Sequence, residues 1–314
     1  MGGTFYSNYQ NFMLFITFFL FWISIQFGEV VEDFIAYILV ISLGILHGAN
    51  DLLILSIKEK TDKTFIKNLF LYIGIIILCL IIYMFSSFVA ILFFVVLSSY
   101  HFGEEHLSKK INVNGLFNSF YFLAYGIFIF SLIFYQSIAD VDVIMRELTG
   151  FTFTEFQIEI ALLTSGIFLC FGSMYLVLTK RNNLKIFIKE VFYLLLLFLV
   201  FQNSSLVLGF AIYFIFWHSV PSIIHQVEFI SGNLNEKAIF YYVKKEFLNF
   251  IEKAGIPTAW TIMGMSGIPT NHPLAVGMLG MHGNYAPNLY TNECDVLIAI
   301  GMRFDDRVTG RLDK

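Results

Sequence analysis

The sequence predicts an all-α polytopic membrane bundle of about eight transmembrane helices, followed by a short C-terminal α/β fragment. Three observations carry this. Of 314 residues, 58% are hydrophobic and only 13% charged, against about 45–50% and 25% in a soluble domain, so there is more apolar surface than a water-soluble core can enclose. The apolar residues gather in runs close to the roughly 20 needed to cross a bilayer. From about Phe250 the texture changes, and Gly, Pro, Asn and Asp appear at the frequency of a soluble protein.

The predicted spans run approximately from Asn11 to Phe27, Phe34 to Ile57, Leu69 to Ser86, Phe88 to Leu107, Leu116 to Tyr135, Ile158 to Leu178, Ile186 to Phe201, and Leu206 to Ile224. Only Ser87 separates the third from the fourth, and the fourth ends in polar turns. Lysines and arginines fix the expected orientation. Lys58, Lys60, Lys63, Lys67, Lys109, Lys110, Lys180, Arg181, Lys185 and Lys189 all follow even-numbered spans, whereas the opposite loops hold Arg146 among Glu29, Glu32, Asp33, Asp140, Asp142 and Glu147. A multi-pass protein of the cytoplasmic membrane is expected, with the N-terminus and the segment after Ile224 both cytoplasmic.

A domain boundary is expected between Ser231 and Phe250. The stretch VLIAIG, Val296 to Gly301, reads as a buried strand of the C-terminal fragment. The net charge of -4 and the scatter of basic residues give no face for nucleic acid. Cys79, Cys170 and Cys294 lie far apart and suggest neither a disulfide framework nor a thiolate site. The first apolar run lacks a basic leader and a small-residue cleavage site, so no removable signal peptide is expected.

Ionisable residues inside spanning helices are expensive to bury and are functional hypotheses by default. They fall on three spans that run the same way. The second carries His47 and Asp51, the fourth His101, Glu104, Glu105 and His106, and the eighth His218 and His225. At 1.5 Å per residue, His47, His101 and His218 lie roughly 9 to 15 Å before the cytoplasmic ends of their helices, at one level of the bundle. A lone membrane histidine commonly serves as an interhelical hydrogen-bond partner. Three at one depth favour a metal; neutral imidazoles suit iron, copper, zinc or nickel, and with no thiolate nearby an all-histidine ferrous site with open positions is the preferred reading.

Asp51 and Glu105, each four residues after a histidine, have the spacing of carboxylates that orient ligand imidazoles; Glu104 stands beside them. Glu104 to His106 also fits a solvated interfacial run. The fourth ligand is His225, two turns beyond His218 and brought nearer by a bend at Pro221, with His106 as the alternative. No catalytic residue is expected beyond the metal site. Gly48 and Gly103 stand beside histidines where close helix approach or substrate access would need small residues.

HGANDLLIL at His47, SSYHFGEEH at His101 and FWHSVPSIIHQ at His218 together resemble the Brp/Blh family of membrane enzymes similar to beta-carotene 15,15'-dioxygenase. The resemblance covers about residues 11–245, within a domain placed at 1–245. It implies oxidative cleavage of the central double bond of beta-carotene to two retinal molecules, with Fe(2+) held by His47, His101 and His218 and with dioxygen as co-substrate. The carotenoid would come from the lipid membrane, and a functional link to a rhodopsin is a further implication. Some members carry a histidine four residues after the position of His218, where this chain has Ser222.

The segment Lys253 to Lys314 resembles part of the central domain of the acetolactate synthase large subunit, over a domain placed at 250–314. Without the parts of that family that bind thiamine diphosphate, neither that cofactor nor FAD is expected to bind, and the fragment is expected to be non-functional and poorly covered. Its joining to a membrane domain suggests a chimeric chain in which the further hydrophobic segments that often follow the region of Phe240 to Phe250 in the resembled membrane family are replaced, and which is inactive if they are needed. The rival functional class is a non-catalytic membrane protein, either a proton-coupled transporter using His47, Asp51 and Glu104 or a retinal-binding accessory to a rhodopsin. A di-iron desaturase would need many more clustered histidines.

Overall fold

The structure is a computed structural model that describes residues 2–41, 62–111, 115–179, 184–231, 236–265, 267–299 and 308. The chain divides into two compact units, Met1–Gly232 and Asn233–Lys314.

The first unit is all helical. Its elements are α1 (Gly2–Gln26), α2 (Glu29–Leu39), α3 (Asp62–Phe85), α4 (Ser87–Leu107), α5 (Leu116–Gln136), α6 (Ile138–Thr149), α7 (Glu155–Leu178) and α8 (Leu184–Asn203). They are followed by one continuous rod made of α9 (Leu206–Ile212), a π-helical segment (Tyr213–Ser219) and α10 (Val220–Ser231). Local chemistry sets several ends. Ser86 is extended and accepts from Val89 N, so the α3–α4 break falls one residue before the predicted Ser87. Thr154 and Gln157 form a reciprocal capping box at the start of α7. Gly150 ends α6 at φ 75, a left-handed conformation that glycine adopts without strain.

Among the described residues, five helical stretches are long and apolar enough to cross a membrane: Asn8–Gln26, Ser87–Leu107, Leu116–Gln136, Glu155–Leu178 and Leu206–Glu228. Leu69–Phe85 is a shorter apolar helix. The structure therefore supports a multi-pass bundle at a coarser level than eight spans. The predicted second span falls mostly outside the described residues, and α8, at the place of the seventh, carries Lys185, Lys189 and Glu190 in its first two turns. The loop expected between the fifth and sixth spans contains α6, which buries Val141 and Met145 and exposes an Asp142–Arg146 pair at 2.7 Å.

The surface is inverted relative to a soluble protein. Phe15, Phe70, Phe85, Phe156 and Phe171 are exposed, while Ser99, Ser131, Ser165, Glu190 and His218 are buried. Lipid makes this arrangement favourable, because apolar side chains lose nothing in hydrocarbon and polar groups need partners inside. α5 lies at the centre, packed on α4 and α7. The α4–α5 contact is backbone on backbone: a Cβ at Gly103 would overlap the Phe122 carbonyl, and one at Gly126 would overlap that of Ser99. The close approach expected of Gly103 is thus a feature of this helix pair.

In the second unit, α11 (Glu236–Ala254) leads into β1 (Thr258–Trp260), which pairs in parallel with β2 (Ala275–Met278), and α12 (Tyr285–Glu293) follows. Gly277, at φ 111, lets β2 turn against the Asn284 side chain, whose Oδ1 accepts from Met278 N at 2.9 Å. The expected buried strand at Val296 is corrected. Val296 to Ala299 carries no strand, and Val296, Leu297 and Ile298 are exposed. A buried parallel strand needs hydrogen-bonded neighbours and a covering layer on each face, and the only sheet among the described residues has two strands.

Candidate metal centre

His218 sits in the π-helical segment, which contains YFIFWHS and closes with Val220 N bonded to Ile215 O. Proline cannot donate and its ring crowds the carbonyl four residues earlier, so Pro221 favours a wider turn before it. Where the sequence predicts a bend at Pro221, the helix continues through this π segment. Trp217 Nε1 donates to Thr17 Oγ1 at 3.1 Å, and Tyr9 Oη donates to the Phe216 carbonyl, so α1 holds the segment in place.

His218 is 2% exposed. Its ring centroid lies 4.8 Å from that of His101 on α4, with planes 79° apart, and Phe102 and Phe214 enclose it at 4.3 and 5.9 Å. This spacing suits a shared ion. A metal–nitrogen bond of about 2.1 Å places a ring centroid roughly 3.2 Å from the metal, so two ligands at right to tetrahedral angles have centroids about 4.5–5.2 Å apart. The donor set is two imidazoles from separate helices among aromatic rings.

His47 and Asp51 lie outside the described residues. No group of three or more His, Cys, Asp or Glu gathers about one point among the described residues. Glu105, expected to orient His101, bonds His225 Nδ1 at 2.6 Å across the α4–α10 contact. A carboxylate on Nδ1 fixes the tautomer, and a metal would take the opposite nitrogen, Nε2. Replacing Glu105 with Gln is expected to lower metal affinity by roughly 10–100-fold, read as iron retained through dialysis against a chelator. Glu104 accepts from Tyr100 Oη at 3.1 Å.

His106, the alternative fourth ligand, faces α8. Its Nε2 is 2.6 Å from Glu190, and Lys110 reaches both His106 at 2.9 Å and Glu190 at 2.8 Å. Tyr125 stacks on the imidazole at 4.8 Å. Five residues from His101 turn the helix by about 140°, so the two histidines leave α4 in different directions. Burial pushes the Lys110 ammonium below its ordinary range, and Glu190 opposes that shift. Sequence reasoning missed this triad. Its available signal was the lone acid Glu190 inside an apolar run, together with the His106/Lys110 spacing. Glu190→Ala leaves a largely buried lysine uncompensated and is expected to cost about 3 kcal/mol, seen as a lower unfolding temperature in detergent. Glu190→Gln is expected to retain part of it.

The sequence profile of the family described as Beta-carotene 15,15'-dioxygenase matches residues 38–277, about three quarters of the chain. The match runs past Phe250, into the stretch that resembles acetolactate synthase. Among curated proteins, the chain is 56% identical over 66 residues to the probable acetolactate synthase large subunit of Methanocaldococcus jannaschii, covering 21% of this chain and 11% of that protein. It is 52% identical over 66 residues to the corresponding protein of Methanococcus aeolicus, covering 21% and 11%. It is 45% identical over 69 residues to acetolactate synthase 1, chloroplastic, of Zea mays, covering 22% and 11%. The chain thus spans about a tenth of these relatives. No solved structure matches it. Joined to a region that resembles acetolactate synthase, the chain belongs to the beta-carotene 15,15'-dioxygenase family.

Proposed function

We propose that this chain is an iron-dependent membrane oxygenase that cleaves beta-carotene at its central double bond to two molecules of retinal. The observation that carries the reading is the pair His101 and His218, whose ring spacing suits one shared ion. His47, which carries the third family motif, is proposed as the next ligand, and His225, oriented by Glu105, as the fourth. Iron bound there would supply activation of dioxygen.

What the protein's own residues do is position and exclude. Cleaving one carbon–carbon double bond with one dioxygen, one oxygen atom ending on each aldehyde, balances without an added proton or electron. The site therefore needs no general acid or base, and none is assigned. Phe102 and Phe214, packed against the His218 ring, hold its orientation and keep water from the reacting polyene. A wholly apolar substrate dissolved in the bilayer can reach such a site without crossing water. The C-terminal unit is proposed to be inert in this reaction, with the membrane domain placed at 1–245 and the acetolactate-synthase-like fragment at 250–314.

The test is expression in beta-carotene-producing bacteria, with retinal and iron measured on the same membranes. Retinal together with bound iron is the expected result. Iron-free membranes without retinal would instead support a non-catalytic relative or a disabled chimera.

A further inference from the structure

A groove of about 370 Å³ runs along the outside of the first unit between α3 and α4, lined by Ile75, Cys79 and Tyr83 on one side and Ala90, Ile91 and Phe94 on the other. Its walls are almost wholly apolar. Ala90 and Phe94 precede His101 by eleven and seven residues on the same helix. At 100° per residue, both positions fall within about 20° of the His101 direction, and they lie roughly 16.5 and 10.5 Å from it along the axis. This stripe is the face opposite the one that packs on α5, since Ser99 and Gly103 are each about 200° from His101. The groove therefore opens onto the side of α4 that carries a proposed metal ligand.

We infer that the α3–α4 groove seats one arm of a long polyene, holding it along α4 so that the middle of the molecule lies at His101 and His218. The inference rests on the cleavage proposed above and adds the substrate's direction of approach. An ordinary lipid furrow needs no alignment with a polar residue. Here the α4 wall of the groove, Ala90 and Phe94, lies in line with the one histidine of α4 that meets His218. The half-buried Ala90 is the small residue that keeps the groove open between the flanking Tyr83 and Phe94. A substrate held at one arm is fixed in register, which determines which double bond faces the metal.

The test uses the full chain, purified under argon in detergent from beta-carotene-producing cells. Beta-carotene, phospholipid phosphorus and iron are measured per chain. Wild type and Phe171→Trp, a substitution on exposed α7 surface outside the groove, are expected to retain beta-carotene. Ala90→Trp is expected to lose at least fivefold of it with iron unchanged, and Ala90→Leu, a smaller filling, to lose less. Undiminished carotene in both Ala90 variants, or phospholipid alone in wild type, would overturn the groove. Retinal formation in air separates the two proposals. Retained carotene lost on filling Ala90, without retinal, keeps the groove and removes cleavage. Retinal formed at an undiminished rate by Ala90→Trp keeps cleavage and removes the groove.

Discussion

His218→Ala and His101→Ala are each expected to remove iron and retinal formation together, retinal falling to the level of cells without the protein. The expectation follows from donor chemistry and, for His218, from burial as well. His218 is 2% exposed and packed between Phe102 and Phe214. Removing one of three or four ligands also removes the fixed direction from which the others bind. His47→Ala is expected to behave in the same way. Iron content distinguishes loss of the site from loss of the protein. A monodisperse variant without iron has lost its ligand, whereas an aggregated one has lost its fold. A His218→Ala chain that keeps both iron and retinal would take His218 out of the site. His106→Ala provides the contrast. Because His106 is bonded to Glu190 and Lys110, its removal is expected to lower stability while iron stays bound.

The difference between these histidines shows what the sequence could and could not reveal. Depth was legible, because the bilayer imposes runs of known length and a helix rises by a fixed amount per residue. That placed His101 and His218 at one level, and the structure brings their rings together. Which neighbour each side chain meets was not legible, because it depends on how the helices are arranged around one another. Glu105 and His106, one residue apart, consequently turn to α10 and α8, and the i,i+4 rule assigned Glu105 to its own helix although its bond runs to His225. The π-helical segment had only Pro221 as a signal. The strand expected at Val296 failed for a related reason. An apolar run becomes a strand only where other strands and helices cover it, and that information is not local.

Gly103→Leu and Gly126→Leu are each expected to prevent the first unit from folding, so that little monodisperse protein survives extraction into detergent. Most cavity-filling changes force a flexible side chain aside and cost about 1–3 kcal/mol. At these two positions the obstacle is backbone, the carbonyls of Phe122 and Ser99, and it cannot rotate away. The only relief is to separate α4 from α5 along the contact that α5 makes at the centre of the unit, which would also forfeit the packing of Phe102 on Phe130 at 5.3 Å and of His106 on Tyr125 at 4.8 Å. A cost above about 3 kcal/mol is therefore expected for each. Gly103→Ala should already be measurably destabilised, since the first carbon of the side chain makes the overlap. Gly74→Ala on α3 is the control, because nothing lies within 4 Å of a Cβ there, and it should leave the unfolding temperature unchanged or slightly raised. Equal behaviour of Gly103→Ala and Gly74→Ala would mean that α4 and α5 do not touch in the way described. His101 would then not be held at the distance from His218 on which the metal centre depends.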